Sequence, residues 1–385
     1  MHYAIVTETY PPQVNGVALT VQAFEQGLRG RGHRVDVVRP RLPGESDAAP
    51  GTLLMAGLPL PVYDGLRFGL PATGRLRRHW DTERPDAVYI ATEGPLGWSA
   101  LRGARSLGIP VATGLHTRFD RYMRAYGLGR LGRLDQVAWA WMRRFHDRGD
   151  ATLVPTRELA AELAAHGFKR PVRLPRAVDT RRFSPDHRDA ALREHWGVGG
   201  DRLAVIHVGR IAAEKNLALV VRAFRAIQRV RPDARLVWIG DGPARDALQR
   251  EHPDFLFPGM QHGHALAAHV ASGDLFLFPS RSETFGNVTL EAMASGVATV
   301  AYDCGAAREH LRHGLHGGCV APGDEASFID AAVYLASDDR VRAACASAAR
   351  RAVAALRPAQ VAADLDGLLQ GLAHRGGRHG SPAAA

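Results

Sequence analysis

"DLFLFPSRSETFGNVTLEAMASG", residues 274–296, reads as a strand, a loop and a helix in succession. "DLFLFP" is an apolar run of strand length, ended by Pro279 and Ser280. Asn287 suits a helix N-cap, "VTLEAMAS" suits the helix, and Gly296 suits its stop. Glu283 therefore falls in the loop beyond a strand's C-terminal end, and Glu291 falls just past the first helical turn. The positive end of the helix points between them, which favours an anion such as phosphate. Each carboxylate accepts two hydrogen bonds and so suits a pair of adjacent hydroxyls. Two diols joined through phosphate describe a nucleotide sugar: hexose, pyrophosphate, ribose. The same residues also suit a capped helix with two solvated carboxylates, and spacing alone leaves both readings open.

Outward from this stretch the same alternation fills the chain. "YAIVTE", "RVDVVR", "DAVYIA", "PVATGL" and "ATLVPT" read as strands in the first half, with helices such as "VALTVQAFEQGLRGRG" between them. The pattern restarts with "RLAVIHVGR", "ARLVWIGDG", "DLFLFPS" and "VATVAYD". Strands alternating with helices predict α/β architecture with parallel, doubly wound sheets, here twice. At 385 residues the chain suits two domains of roughly 150–200 residues each. Prolines and charges in "RLPRAVDTRRFSPD", 173–186, mark the seam. The expected parts are an N-terminal domain over 1–176 and a C-terminal domain over 177–355. A final helix over 356–373, packing back on the first domain, and a flexible tail over 374–385 complete the chain.

Composition excludes several classes. Apolar content of 46% with 23% charged residues is ordinary for a soluble enzyme. "MHYAIVTETYPP" enters a strand pattern without the basic and apolar regions of a signal peptide, and no apolar run suits a membrane span. Cys304, Cys319 and Cys345 make neither a disulfide framework nor a metal site, so a cytoplasmic location is expected. No GxGxxG opens the first strand–helix turn and no GxxxxGK[ST] occurs, so dinucleotide dehydrogenases and phosphate-loop NTPases lack support. Asp364 and Asp366 form a DxD inside the last helical pattern, where they read as solvated helix charge, not a metal clamp.

Ligands of doubly wound sheets bind beyond the carboxyl ends of the strands, and the unusual loops fall there. "TYPPQVNGV", 9–17, puts Gly16 at a helix start, where backbone can approach a ligand. "GLHTRFDRY", 114–122, carries His116, and "GRIAAEKN", 209–216, carries Arg210 and Lys215. Lys215 is one of only two lysines, with Lys169, in a chain of 49 basic residues. If both sheets turn these ends to a shared cleft, the two cations face the pyrophosphate suggested by the Glu283–Glu291 corner. Ordinary surface charge is the competing reading for the pair.

"ETYPPQVNGVALTV", "GLHTRFDRYM", "LPRAVDTRRFSP", "VGRIAAEKNL", "WIGDGP" and "FPSRSETFGNVTLEAMASGVATV" together span almost the whole chain. They resemble family 4 of the retaining glycosyltransferases, which have the GT-B fold of two Rossmann-like domains facing a central cleft. The resemblance implies that Glu283 holds hydroxyls of the donor hexose and Glu291 the ribose. It implies that Arg210 and Lys215 neutralise the pyrophosphate, and that the backbone of Phe285, Gly286, Asn287 and Val288 meets hexose and phosphate. His116 would touch the donor sugar from the other domain, and Gly16 would let that domain close on the phosphates. One departure stands out: Ala177 in "PRAVD" replaces the family's usual glycine, and would be strained if that position needs positive φ.

The implied activity is retaining hexosyl transfer from a nucleotide diphosphate sugar, GDP-mannose first and UDP-glucose next, onto a lipid or glycan hydroxyl. It implies no enzyme nucleophile, cofactor or divalent metal. Backbone around "FPGMQHG", 257–263, is the expected place where the base is read. A non-catalytic nucleotide-sugar binder and a GT-B nucleotide-sugar epimerase remain as alternatives. Charge adds a partner. Residues 1–176 hold 25 Lys and Arg against 16 Asp and Glu, a net of +9 within the chain's +10. Residues 118–148 carry eight arginines against three acids, interleaved with Phe119, Tyr122, Tyr126, Trp139, Trp141 and Phe145. That mixture suits peripheral contact with an anionic membrane at the inner leaflet. It also suits a solvated basic face over a core. Nucleic acid is not expected, because no recognition motif accompanies the arginines.

Overall fold

The computed structural model describes residues 1–13, 15–46, 48–59, 67–116, 132–281 and 283–379. Among the described residues of the first part lie β1 (His2–Val6), β2 (Arg34–Pro40), β3 (Thr52–Met55), β4 (Gly57–Pro59), β5 (Arg67–Gly69), β6 (Ala87–Ile90), β7 (Val111–Gly114), β8 (Ala151–Val154) and β9 (Pro171–Arg173). Six follow: β10 (Ala204–Val208), β11 (Arg235–Ile239), β12 (Leu256–Gly259), β13 (Leu275–Phe278), β14 (Ala298–Tyr302) and β15 (Gly317–Val320). The chain divides into two units, each with its own parallel sheet. Described residues up to 175, joined by the helix that starts at Pro358, make the first, and 176–357 make the second.

The first sheet has the order β3-β2-β1-β6-β7-β8-β9, with β4 and β5 pairing separately as an antiparallel ribbon. Ile5 of β1 pairs with Val37 on one side and Tyr89 on the other. Tyr3, Ala4, Ile5 and Val6 are all fully buried, as a strand covered on both faces requires. The second sheet has the order β12-β11-β10-β13-β14-β15. Successive side chains of its strands go to opposite faces. Val205, Leu236, Trp238, Leu275 and Leu277 pack on one side against Leu219, Val220, Phe224 and Ile227 of the helix Leu217–Val230. Ile206, Val237, Phe276 and Phe278 pack on the other with Leu290 and Met293 of the helix Asn287–Ala294.

In each sheet one central strand, β1 or β10, has chain leaving to one side and returning on the other. That is the switch point, where two loops diverge and leave a crevice at the carboxyl ends. In the first unit the loops after β1 and β6 flank it. In the second, the loops after β10 and β13 flank it, and these carry Lys215 and Glu283.

Three expectations are corrected. The helix Pro358–His379 continues past residue 373, where a tail is expected. Its formed part is anchored by buried Val361, Ala362, Leu365 and Leu369, and a Cβ on Gly27 would stand 2.4 Å from that of Ala362. Asp366 on this helix is not solvated: it is 1% exposed. It accepts from Tyr3 Oη at 2.8 Å and Arg31 Nε at 2.9 Å, and meets His33 Nε2 at 2.9 Å. Burial alone would raise its pKa, but His33, Arg31 and Tyr3 together hold it down to about 2. Asn287, third, is not an N-cap. It is the first helical residue, and Gly286, at φ 84°, takes the cap position that a side chain would strain. The departure at Ala177 carries no strain, since Arg170 and Asn216 are the non-glycine residues with positive φ among the described residues.

Candidate active site

Lys215 ends a short 3₁₀ turn, Ala213–Lys215, after β10. Asn216 follows in the left-handed conformation, φ 57°, and turns the chain into the helix Leu217–Val230. This sharp turn aims Lys215 across the switch point, where its ammonium bonds Glu283 Oε1. The hydroxyl of Ser280 donates to the same oxygen at 2.8 Å. The Lys215 ammonium also lies 5.9 Å from the centre of the Phe278 ring. Side chains of Lys215 and Glu283 are 18% and 15% exposed. Burial pushes the Glu283 carboxyl up, but the Lys215 charge and hydrogen bond, with Ser280, bring it below the ordinary carboxylate range. Glu283 is therefore an anion fixed in place by Lys215 and Ser280.

Beneath the pair, His207 of β10 is fully buried. Its Nδ1 donates to the Leu277 carbonyl at 2.9 Å, which leaves Nε2 without its proton and without a hydrogen-bond partner. Burial lowers its pKa to about 4, so no second positive charge competes with Lys215 for Glu283. Sequence reading missed both His207 and Ser280. Ser280 was legible only as the residue that ends a strand, and nothing in "AVIHVGR" marks the histidine as lying under the site.

Arg210 turns to its own loop: its guanidinium lies 3.5 Å from Glu214, and its side chain is 36% exposed. It shares the loop of Lys215 but not the bond to Glu283. The loop 283–286 is locked by the Phe285 carbonyl, which accepts from Ala306 N at 2.6 Å. Gly305 makes this possible, since a Cβ there would stand 2.3 Å from the same oxygen. Phe285 is buried, while Gly286, Asn287 and Val288 are partly exposed. The helix start bears no side-chain cap, so its first N–H groups are disposed to take an anion. Glu291 sits one turn on and is partly exposed. Burial raises its carboxyl from an ordinary 4.5 to about 7, offset in part by Arg182. Lys215, Glu283, Glu291 and this helix start thus lie in one unit; His116 and Gly16 lie in the other.

In the first unit Gly16 is the exposed first residue of the helix Gly16–Gly30. Asn15 caps that helix, its Oδ1 accepting from Val17 N at 3.1 Å and Ala18 N at 2.9 Å. His116 follows β7, and its Nε2 lies 2.6 Å from the Tyr89 hydroxyl. Of the aromatics noted in the basic segment, Phe119, Tyr122 and Tyr126 fall outside the described residues. Phe145 is a core residue, 0% exposed, and Trp139 stacks on His166 at 4.0 Å. Trp141 is 39% and Val137 62% exposed, four apart on the helix Gly132–His146. No helix among the described residues is long and apolar enough to cross a membrane.

A sucrose-phosphate synthase from Thermosynechococcus elongatus superposes with a TM-score of 0.78 at 17% identity, over 96% of this chain and 98% of that one. Two doubly wound units that superpose in this way define the fold class: GT-B. Residues 14–182 match Glycosyltransferase Family 4, and residues 202–338 match glycosyl transferases group 1. The chain is 38% identical to a GDP-mannose-dependent alpha-mannosyltransferase of Mycolicibacterium smegmatis, over 80% of this chain and 81% of that protein. It is 30% identical to a GDP-mannose-dependent alpha-(1-6)-phosphatidylinositol dimannoside mannosyltransferase of Mycobacterium tuberculosis, over 78% and 79%. The chain belongs to the family 4 glycosyltransferases.

Proposed function

We propose that the chain transfers a hexose, mannose from GDP-mannose first and glucose from UDP-glucose next, to a hydroxyl of a lipid acceptor with retention of anomeric configuration. The observation that carries this is the Lys215–Glu283 pair beside the uncapped start of the helix Asn287–Ala294. Glu283 accepts from hexose hydroxyls, Glu291 from the ribose diol, and backbone of Phe285 to Val288 lines the hexose–phosphate junction. As the C1–O bond to phosphate breaks, negative charge grows on the departing diphosphate. Lys215, Arg210 and the helix start meet that charge, which places the main stabilisation in fixed positive groups and asks no divalent metal of the donor site. The acceptor oxygen attacks C1 from the face being vacated, and its proton passes to the leaving phosphate oxygen. His116 and Gly16 are further donor contacts on this reading.

The choice of mannose and of a lipid is supported by what the two mycobacterial relatives are named for. Release of diphosphate from GDP-mannose, UDP-glucose, UDP-galactose and UDP-N-acetylglucosamine, with and without lipid, tests it. GDP-mannose should turn over fastest and only fully with acceptor. Conversion of the donor to an isomer without acceptor would mean an epimerase instead, and tight binding without turnover a non-catalytic binder.

Membrane contact is the second part of the reading. Val137 and Trp141 expose an apolar edge on one helix, with exposed Arg144 one turn on and exposed Arg148 just beyond the helix end. Arginine beside interfacial tryptophan suits an anionic lipid surface. On this reading the protein works from the cytoplasmic side as a peripheral enzyme.

A further inference from the structure

Gly114 ends β7 two residues before His116, and its φ lies outside the left-handed region, so backbone conformation does not demand glycine there. Space does. A Cβ on Gly114 would stand 2.1 Å from the Tyr89 hydroxyl oxygen and 2.7 Å from His116 Nε2. Without a side chain at 114 these two groups meet at 2.6 Å. Tyr89 is itself immobilised. It is 1% exposed on β6, pairs in register with Ala112 of β7, and packs edge-on against Phe24 of the helix Gly16–Gly30 at 5.7 Å and 69°. Its ring also stands edge-on to the imidazole, at 82°.

We propose that Tyr89 is the positioning residue for His116. Its hydroxyl, held by Phe24 and admitted by Gly114, donates to Nε2, fixes the ring's orientation and keeps the ring proton on Nδ1. A neutral imidazole carries one N–H and one bare nitrogen, and a hydrogen bond at one nitrogen decides the state of the other. The inference rests on the reading of His116 as a contact to the donor sugar. It adds that this contact works only in one tautomer and one orientation, and names the two residues that impose them.

Tyr89→Phe keeps the ring and removes the hydroxyl; Gly114→Ala pushes the two groups apart. Either should lower kcat by about tenfold to a hundredfold, the scale of losing a histidine's orienting partner, with KM for GDP-mannose nearly unchanged. In ¹⁵N-histidine NMR of the full chain, His116 should move from a single Nδ1–H tautomer to a mixture in Tyr89→Phe. His116→Ala separates the two readings. If it retains the wild-type rate, the role of His116 fails, and the NMR arm alone judges whether Tyr89 holds the ring. If it is impaired while Tyr89→Phe keeps the wild-type rate and tautomer, the proposal is overturned. A further loss of rate when Tyr89→Phe is added to His116→Ala would also overturn it, because a positioning residue has nothing left to position.

Discussion

Lys215 and Glu283, 68 residues apart, are joined by an ion pair that also engages the Ser280 hydroxyl. They meet because β10 and β13 are neighbours across the switch point and both loops leave from the same end of the sheet. The pair therefore ties the loop that carries Lys215 to the loop that carries Glu283, the carboxylate proposed to bind the hexose. Glu283→Gln keeps the shape but removes the charge and leaves one acceptor oxygen. Turnover of GDP-mannose should fall by about two orders of magnitude or more. A variant within a few-fold of wild type would remove Glu283 from the site.

Lys215→Met should cost on the order of 3 kcal/mol of transition-state stabilisation. It also leaves Glu283 buried without its cation, which costs stability on a scale of about 3 kcal/mol. The Glu283 carboxyl is held low in the folded protein, so the stability it contributes is present above an ordinary carboxylate pKa and lost as pH falls. The thermal deficit of Lys215→Met should accordingly be large at pH 7 and small at pH 4. Adding Glu283→Gln should restore thermal stability without restoring turnover. Recovery of both together would show that the pair is structural only.

Glu291 titrates in the opposite sense. Between its ordinary 4.5 and about 7, the folded protein keeps a proton that the unfolded chain has lost, so its contribution to stability declines as pH rises through that window. Glu291→Gln should raise the melting temperature of the unliganded protein at pH 8 and leave it unchanged at pH 4.5. The same variant should bind GDP-mannose more weakly at pH 8, because an ionised carboxylate is the better partner for a ribose diol. A lower melting temperature at pH 8 would contradict the assignment.

The sheets and the loop positions were legible because apolar strand runs and strand-end loops are local signals. "DLFLFP" and "AVIHV" declare themselves by composition alone. What escaped depends on contacts between distant residues. Asp366 looks like any acid on an exposed helix until Tyr3, Arg31 and His33 surround it. Asn287 has the chemistry of a cap, but the loop locked by Phe285 and Ala306 enters the helix through a left-handed glycine. Gly114 reads as an ordinary strand-end glycine, and only the approach of Tyr89 to His116 explains it.

Vesicle co-sedimentation checks the membrane reading. The full chain should bind vesicles containing anionic lipid, lose that binding as salt rises, and ignore neutral vesicles. Trp141→Ala together with Arg144→Glu should weaken the binding several-fold while leaving diphosphate release from a soluble acceptor analogue intact. Equal binding to neutral and anionic vesicles, or none to either, would contradict a charge-driven contact.

The most direct test of the central reading is transfer of radiolabelled mannose from GDP-mannose to extracted lipid by the purified protein, followed by α-mannosidase digestion of the product. Expected is labelled lipid whose mannose is released by α-mannosidase, formed by the wild type and lost in Glu283→Gln. Label appearing only as free mannose, a product resistant to α-mannosidase and cleaved by β-mannosidase, or undiminished transfer by Glu283→Gln would contradict it.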